Sequence, residues 1–277
     1  MIQHDEGYFS ARDGLRLFWQ SDVPVDAKAH VAVIHGYGDH GGRYRQLVAQ
    51  LAADGFACHA LDYRGHGRAD GRRGYVDRFE DYLADVGLFV DRCKAQAAGK
   101  KLFLFAHSLG GLISIHHLKF HADGLAGAVL SGPYLELALQ APAFKVLAAK
   151  VANKVVPWVP IPTEIKTTQL TRDAAMIAEA EKDPLYLHIV TPRFFLESSA
   201  AQPAARAAGP DIRLPLLLVC GAEDPIASTS AMRTFFEGVA SADKAFKAYP
   251  GMLHEPWNEQ GREEVYRDIS LWISAHL

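Results

Sequence analysis

The chain has 277 residues, 49% hydrophobic and 22% charged, with a formal charge of −3. That balance belongs to a soluble globular protein with enough chain for a sizeable core, and it excludes a nucleic-acid reader, which carries a basic stripe. No apolar run reaches the ~20 residues that span a bilayer. The three cysteines, Cys58, Cys93 and Cys220, lie far apart with no C-x-x-C spacing, which reads as reduced thiols. The opening "MIQHDEGYFSARDG" lacks the basic-then-apolar pattern of a signal peptide, so a cytoplasmic location is expected.

The first element is a hairpin. "GYFSARDGLRLFWQ" alternates apolar and polar residues about Asp13-Gly14, a turn dipeptide. Short apolar runs then recur: "HVAVIH", "FACHALD", "KLFLFAHS", "GAVLSG", "LPLLLVCGAED" and "KAFKAYP". Between them, residues 43–53, 79–97 and 109–121 have helical spacing. Residues 259–275 close the chain as a helix with Val265, Ile269, Trp272 and Ile273 on one face. Strand and helix in alternation predict an α/β fold, a mostly parallel central sheet flanked by helices. Residues 133–210 break that rhythm with no clear strand. They form an insertion between core strands of one domain spanning residues 1–277. Its first part places Phe144, Leu147, Val151 and Val155 on one stripe with lysines beside it.

Two stretches suggest chemistry. In "HVAVIHGYGDHGGRY" the glycines Gly36, Gly38 and Gly41 have G-x-G-x-x-G spacing, and Asp62 follows about 20 residues later, the outline of a dinucleotide fingerprint. In "KLFLFAHSLGGL" a strand runs straight into Ala106-His107-Ser108-Leu109-Gly110 and then a helix. A nucleophile elbow needs this order, because its serine sits in a sharp turn with small residues two before and two after. Ala106 replaces the usual glycine by one methyl. Asp224 follows a buried strand and His254 lies in the loop after the next, so the order Ser108, Asp224, His254 is that of a serine hydrolase triad. Imidazole suits the base, its ordinary pKa of about 6.5 lying near working pH.

The segments "HGYGDHGGRY", "LDYRGHGRADG", "AHSLGG", "FKVLAAKV", "GAEDPIAS" and "HEPWNE" extend in order from residue 35 to about 260. In them the sequence resembles the monoacylglycerol lipase and lysophospholipase branch of the serine α/β-hydrolases. The resemblance implies a hydrolase cleaving fatty-acid esters through an acyl-enzyme on Ser108, with a lipid or ester substrate. It assigns the oxyanion hole to the backbone N–H groups of Tyr37 and Leu109. It places Asp39 and Arg43 near the alcohol-binding end of the pocket and makes Arg64 and His66 structural. Residues 133–210 would be a helical cap over the site, its apolar stripe facing an acyl tunnel or a membrane surface. Where related glycerol-ester lipases often carry a second histidine, three residues past the catalytic one, this chain has Trp257. An indole there, read as a substrate contact, leaves room for lysophospholipids or simpler esters.

Competing readings explain less. A nucleotide-dependent oxidoreductase accounts for the glycines but leaves Ser108, Asp224 and His254 without a role. A broader small-ester carboxylesterase shares the triad. A non-catalytic binding protein would be expected to have lost a triad member, and an epoxide or haloalkane hydrolase would carry aspartate at position 108. His35, Asp39 and His40 have zinc-ligand chemistry but match no ligand spacing. Neither cofactor nor metal is expected.

Overall fold

The computed structural model describes residues 1–277. β1 (Ile2–Ser10) and β2 (Arg16–Pro24) form the hairpin that Asp13-Gly14 predicts, with Gly14 at φ +86°. Strand and helix then alternate through β3 (Ala29–Ile34), α1 (Arg45–Ala53), β4 (Phe56–Asp62), α2 (Phe79–Ala97), β5 (Leu102–His107), α3 (Leu109–His121) and β6 (Gly127–Ser131). Next come α4 (Ala143–Val155), β7 (Ile161–Pro162), α5 (Ala174–Lys182), β8 (Ile189–Val190) and α6 (Pro192–Arg206). The chain finishes with β9 (Leu216–Gly221), α7 (Thr229–Gly238), β10 (Lys244–Tyr249) and α8 (Arg262–Ala275).

One sheet takes eight strands in the order β1-β2-β4-β3-β5-β6-β9-β10, and β2 alone runs against its neighbours. The inner strands read as unbroken apolar runs because both their faces are covered. Along β3, Val31 and Val33 point to one face, where Leu47 and Leu51 of α1 and Val265, Ile269 and Ile273 of α8 pack with Phe103 and Phe105. Ala32 and Ile34 point to the other, against Val86 and Phe89 of α2 and Leu112 of α3. β6 and β9 are adjacent in the sheet, so α4, β7, α5, β8 and α6 leave and return at one place. No helix is long and apolar enough to cross a membrane.

Three boundaries differ from expectation. Residues 41–44 form a 3-10 turn before α1, capped by the His40 side chain, which accepts from Gly42 N–H. The last helix begins at Arg262 instead of Glu259, because a 3-10 turn at Pro256–Asn258 and Gly261 at φ +80° intervene. The insertion contains a small antiparallel pair, β7 with β8. Two residues per strand, one of them proline, are too few to leave a periodicity.

Candidate active site

β5 delivers its last residues directly to a turn. Ser108 has φ +50° and ψ −114°, a backbone that side chains rarely adopt, and Leu109 starts α3 at the next residue. The turn is held at both ends: Ser108 N–H donates to the Ser131 carbonyl at 2.9 Å, and the Ser108 carbonyl accepts from Leu112 and Tyr134. Gly110 allows the tightness, since a Cβ there would come within 2.5 Å of the Ile34 and His35 carbonyl oxygens. Ala106 is fully buried in the strand, where its methyl fits.

Ser108, Asp224 and His254, 146 and 30 residues apart in the two pairings, come together in one line. His254 Nε2 lies 2.9 Å from Ser108 Oγ, and His254 Nδ1 lies 2.7 Å from Asp224 Oδ2. The Asp224 carboxylate only accepts when ionised, so Nδ1 carries the proton and Nε2 faces the serine hydroxyl as an acceptor. Oδ1 of Asp224 accepts from the Ile226 and Ala227 N–H groups, which fixes the carboxylate. Ser228 caps α7, leaving Asp224 free of that task.

Electrostatics separate the roles. Burial pushes Asp224 up, but the His254 charge and hydrogen bond with two backbone N–H groups bring it below the ordinary carboxylate range. Burial pushes His254 down, yet the Asp224 charge and hydrogen bond leave it above an ordinary histidine. His107 beside it, buried and near His254, is held well below that range and stays neutral, bonded to the Ser131 carbonyl at 3.0 Å. The two histidines of this neighbourhood are therefore distinguishable by environment, and only His254 is placed to exchange a proton with Ser108.

The glycine loop lies against the serine. A Cβ added at Gly36 would stand 3.3 Å from the Ser108 Cβ. The Gly36 carbonyl accepts from Tyr63 Oη at 2.8 Å and His35 Nδ1 at 2.7 Å. The Tyr37 and Leu109 N–H groups donate to no acceptor in the protein. Leu109 also opens α3, whose N-terminal dipole favours negative charge there. Asp62 holds no ribose: its two oxygens accept from Gly41 N–H at 2.7 Å and Arg68 N–H at 2.8 Å, binding the loop to the following turn. Arg64 grips Asp85 through two 2.7 Å bonds and reaches Asp13, a structural post between α2 and the hairpin. His35, Asp39 and His40 form no three-ligand group, and their side chains are engaged separately.

Two expected substrate contacts are already paired. Arg43 donates two 2.9 Å bonds to Glu255, the residue after His254, and one of 3.2 Å to Asp39, all three being buried. The Tyr186 ring lies 5.1 Å from the guanidinium. Burial would push Arg43 down, but the two carboxylates hold it well above its usual range. Glu255 escaped sequence reasoning, because a carboxylate 212 residues from its arginine leaves no local signal. Glu255 N–H also donates to the Leu170 carbonyl of the insertion, so this residue bolts the His254 loop to two other segments. Glu255→Ala is expected to destabilise the fold by about 3 kcal/mol by stranding part of a buried charge. Urea unfolding measures it, with Glu255→Gln costing less.

Trp257 is part of the core behind His254. Its side chain is fully buried, stacked 4.1 Å from Tyr44 and edge-on to His107 at 5.4 Å. It sits on the 3-10 turn after His254, packed behind the site against Tyr44 and His107.

Ser108 is 9% exposed. A cleft of about 450 Å³ between α1 and α5 has Arg43 and Asn258 in its lining, and a groove of about 420 Å³ lies between α4 and α6. Neither is lined by Ser108 or His254. The stripe on α4 is not packed on the core: Phe144, Leu147, Val151 and Val155 are 59–70% exposed, and no residue of that helix is buried.

A family model described as "Serine aminopeptidase, S33" matches residues 25–261. The human monoglyceride lipase is 32% identical over 267 residues, covering 95% of this chain and 88% of that protein. Phospholipase YtpA of Bacillus subtilis is 29% identical over 94% of this chain and 99% of its own length. The crystal structure of Paleococcus ferrophilus monoacylglycerol lipase superposes with a TM-score of 0.81 at 27% identity and covers all of both chains.

Proposed function

The chain belongs to the serine aminopeptidase S33 family and has the α/β-hydrolase fold of the monoacylglycerol lipase and lysophospholipase branch, and from that premise we propose that it is a monoacylglycerol lipase acting through an acyl-enzyme on Ser108. The observation that carries this reading is the continuous hydrogen-bonded line from Ser108 through His254 to Asp224. In the first half-reaction Ser108 Oγ attacks the ester carbonyl while its proton passes to His254 Nε2. The carbonyl oxygen becomes an oxyanion and accepts hydrogen bonds from the Tyr37 and Leu109 N–H groups, each worth roughly 3 kcal/mol. Collapse breaks the bond to the alcohol oxygen, which takes the proton from His254 and leaves. Water then repeats the cycle: His254 removes its proton, hydroxide oxygen adds to the acyl carbon, and Ser108 Oγ leaves with the proton returned. The products are an alcohol and a fatty acid, and the only co-reactant is water.

The charge beside His254 favours an uncharged head group. Arg43 is matched by two carboxylates, so it has no unmatched charge to offer a phosphate. With Trp257 turned away from the site, its bulk is no objection to glycerol. The test compares a monoacylglycerol with a lysophosphatidylcholine, each at two chain lengths. The proposal expects the monoacylglycerol to have the higher kcat/KM at both lengths. Preference for the choline lipid would replace it with a lysophospholipase, and turnover of short soluble esters alone with a carboxylesterase.

The insertion is the cap of this reading, and its exposed helix is its membrane contact. Lys145, Lys150 and Lys154 flank the α4 stripe, a basic amphipathic surface suited to lie in an anionic interface. Leu147→Glu combined with Val151→Glu is expected to lower partitioning onto anionic vesicles about tenfold or more, from the lost apolar burial. Hydrolysis of a water-soluble butyrate ester should stay unchanged. Equal vesicle binding by variant and wild type, measured by flotation, would refute the contact.

A further inference from the structure

The Tyr37 side chain is engaged far beyond what a residue supplying a backbone amide requires. Its hydroxyl donates to the Ile189 carbonyl of the cap at 3.0 Å and is shared with the Gly74 carbonyl at 3.2 Å. Thr191 of the cap donates to that same Gly74 carbonyl at 2.8 Å. The Tyr37 ring stacks on cap Phe194 with centroids 3.8 Å apart. On the next residue, the Gly38 carbonyl accepts from cap Leu187 N–H at 2.7 Å, and Gly38 has φ +74°, with no room for a Cβ against the Leu187 carbonyl. Two residues further on, His40 Nε2 meets Asp183 of the cap at 2.7 Å. The segment of residues 183–194 is thus fastened to residues 37, 38 and 40 one after another.

We propose that Tyr37 is a positioning residue that makes the oxyanion hole depend on the docked cap. The inference rests on the ester-hydrolase reading above. The backbone N–H of Tyr37 is the group that must point at the developing oxyanion, and nothing else in the protein accepts from it. Its direction is set by the peptide between Gly36 and Tyr37. Gly36 is fixed by Tyr63 on the core side. Tyr37 itself takes its shorter hydroxyl bond and its ring stack from the cap, with Gly74 and His66 on the core side. Moving residues 183–194 away breaks the hydroxyl bond to Ile189, the ring stack on Phe194 and the Gly38 bond together, leaving the side chain only the longer bond to the Gly74 carbonyl and the edge of His66. Closing the cap over a bound acyl chain restores all three, so transition-state stabilisation is completed only when the substrate is enclosed. Burial pushes the phenol up, so the hydroxyl remains a donor throughout the working range of pH.

Tyr37→Phe removes the hydroxyl and keeps the stack on Phe194. Since deleting one oxyanion donor outright costs about 10²–10³ in kcat, misaiming it is expected to lower kcat by about tenfold, with KM within about twofold. Affinity for a trifluoromethyl ketone, whose Ser108 adduct carries the same oxyanion, should fall by the same factor. Phe194→Leu, which weakens the stack from the cap side, should move both quantities in the same direction. A merely structural tyrosine would lower the melting temperature and leave kcat and ketone affinity unchanged, and that result overturns the proposal. Failure of the underlying reading looks different. Full turnover by Ser108→Ala would remove the ester-hydrolase mechanism itself, whereas an inactive Ser108→Ala beside an unimpaired Tyr37→Phe would remove only the coupling.

Discussion

Ser108→Ala is expected to lower kcat on a monoacylglycerol by about 10⁵–10⁶-fold, the loss typical of a serine nucleophile whose base and oxyanion donors remain. The fold should survive. Alanine has the same Cβ in the same strained backbone, and the elbow's bonds to Ser131, Leu112 and Tyr134 use only main-chain atoms. The hydroxyl contributes one hydrogen bond, to His254 Nε2, and the residue is almost enclosed. Substrate binding should persist, so KM is expected to change little while kcat collapses. Esterase assay beside a thermal melt checks both halves: an inactive, normally melting protein agrees, and an active one does not.

Asp224→Asn should be nearly as damaging, lowering kcat about 10⁴-fold at neutral pH, for a reason readable from the bonds. Oδ1 of Asp224 accepts from the Ile226 and Ala227 N–H groups, so an asparagine keeps its oxygen there. Its amide –NH₂ then faces His254 Nδ1, which must become an acceptor. The ring proton moves to Nε2, and the base can no longer take one from Ser108. The pH profile should shift as well. His254 works only when neutral, and in the wild type its pKa is raised despite burial, because of Asp224. The acid limb of kcat/KM therefore lies above the ordinary histidine value of about 6.5, with activity lost as pH falls through it. Without the Asp224 charge burial dominates, and the limb of the residual activity should move to lower pH. A limb that stays in place would mean that Asp224 does not set the charge on His254.

Elements whose physics is local were legible in the sequence. The buried strands announced themselves as apolar runs, and α2 and α3 begin and end where spacing put them, at Phe79–Ala97 and Leu109–His121. The elbow was readable because strand, serine and helix must be contiguous for the turn to form. The order Ser108, Asp224, His254 was readable because the fold returns each strand end to the same edge. The clamp on Arg43 and the anchoring of Tyr37 were not. Arg43 pairs with Glu255 and Tyr37 with Ile189, 212 and 152 residues away, and such pairings exist only after the sheet has assembled. The burial of Trp257 was hidden for a related reason. Its spacing from His254 invited comparison with a polar partner, while the turn that buries it is set by packing against Tyr44.

Treatment with a fluorophosphonate, followed by peptide mass spectrometry, asks whether Ser108 is the activated nucleophile. Such a probe needs an activated serine and an oxyanion site together. One adduct per chain is expected, on the peptide containing Ser108, with monoacylglycerol hydrolysis lost in proportion to labelling. Full labelling at another residue, or full hydrolysis by a protein labelled at Ser108, would contradict it.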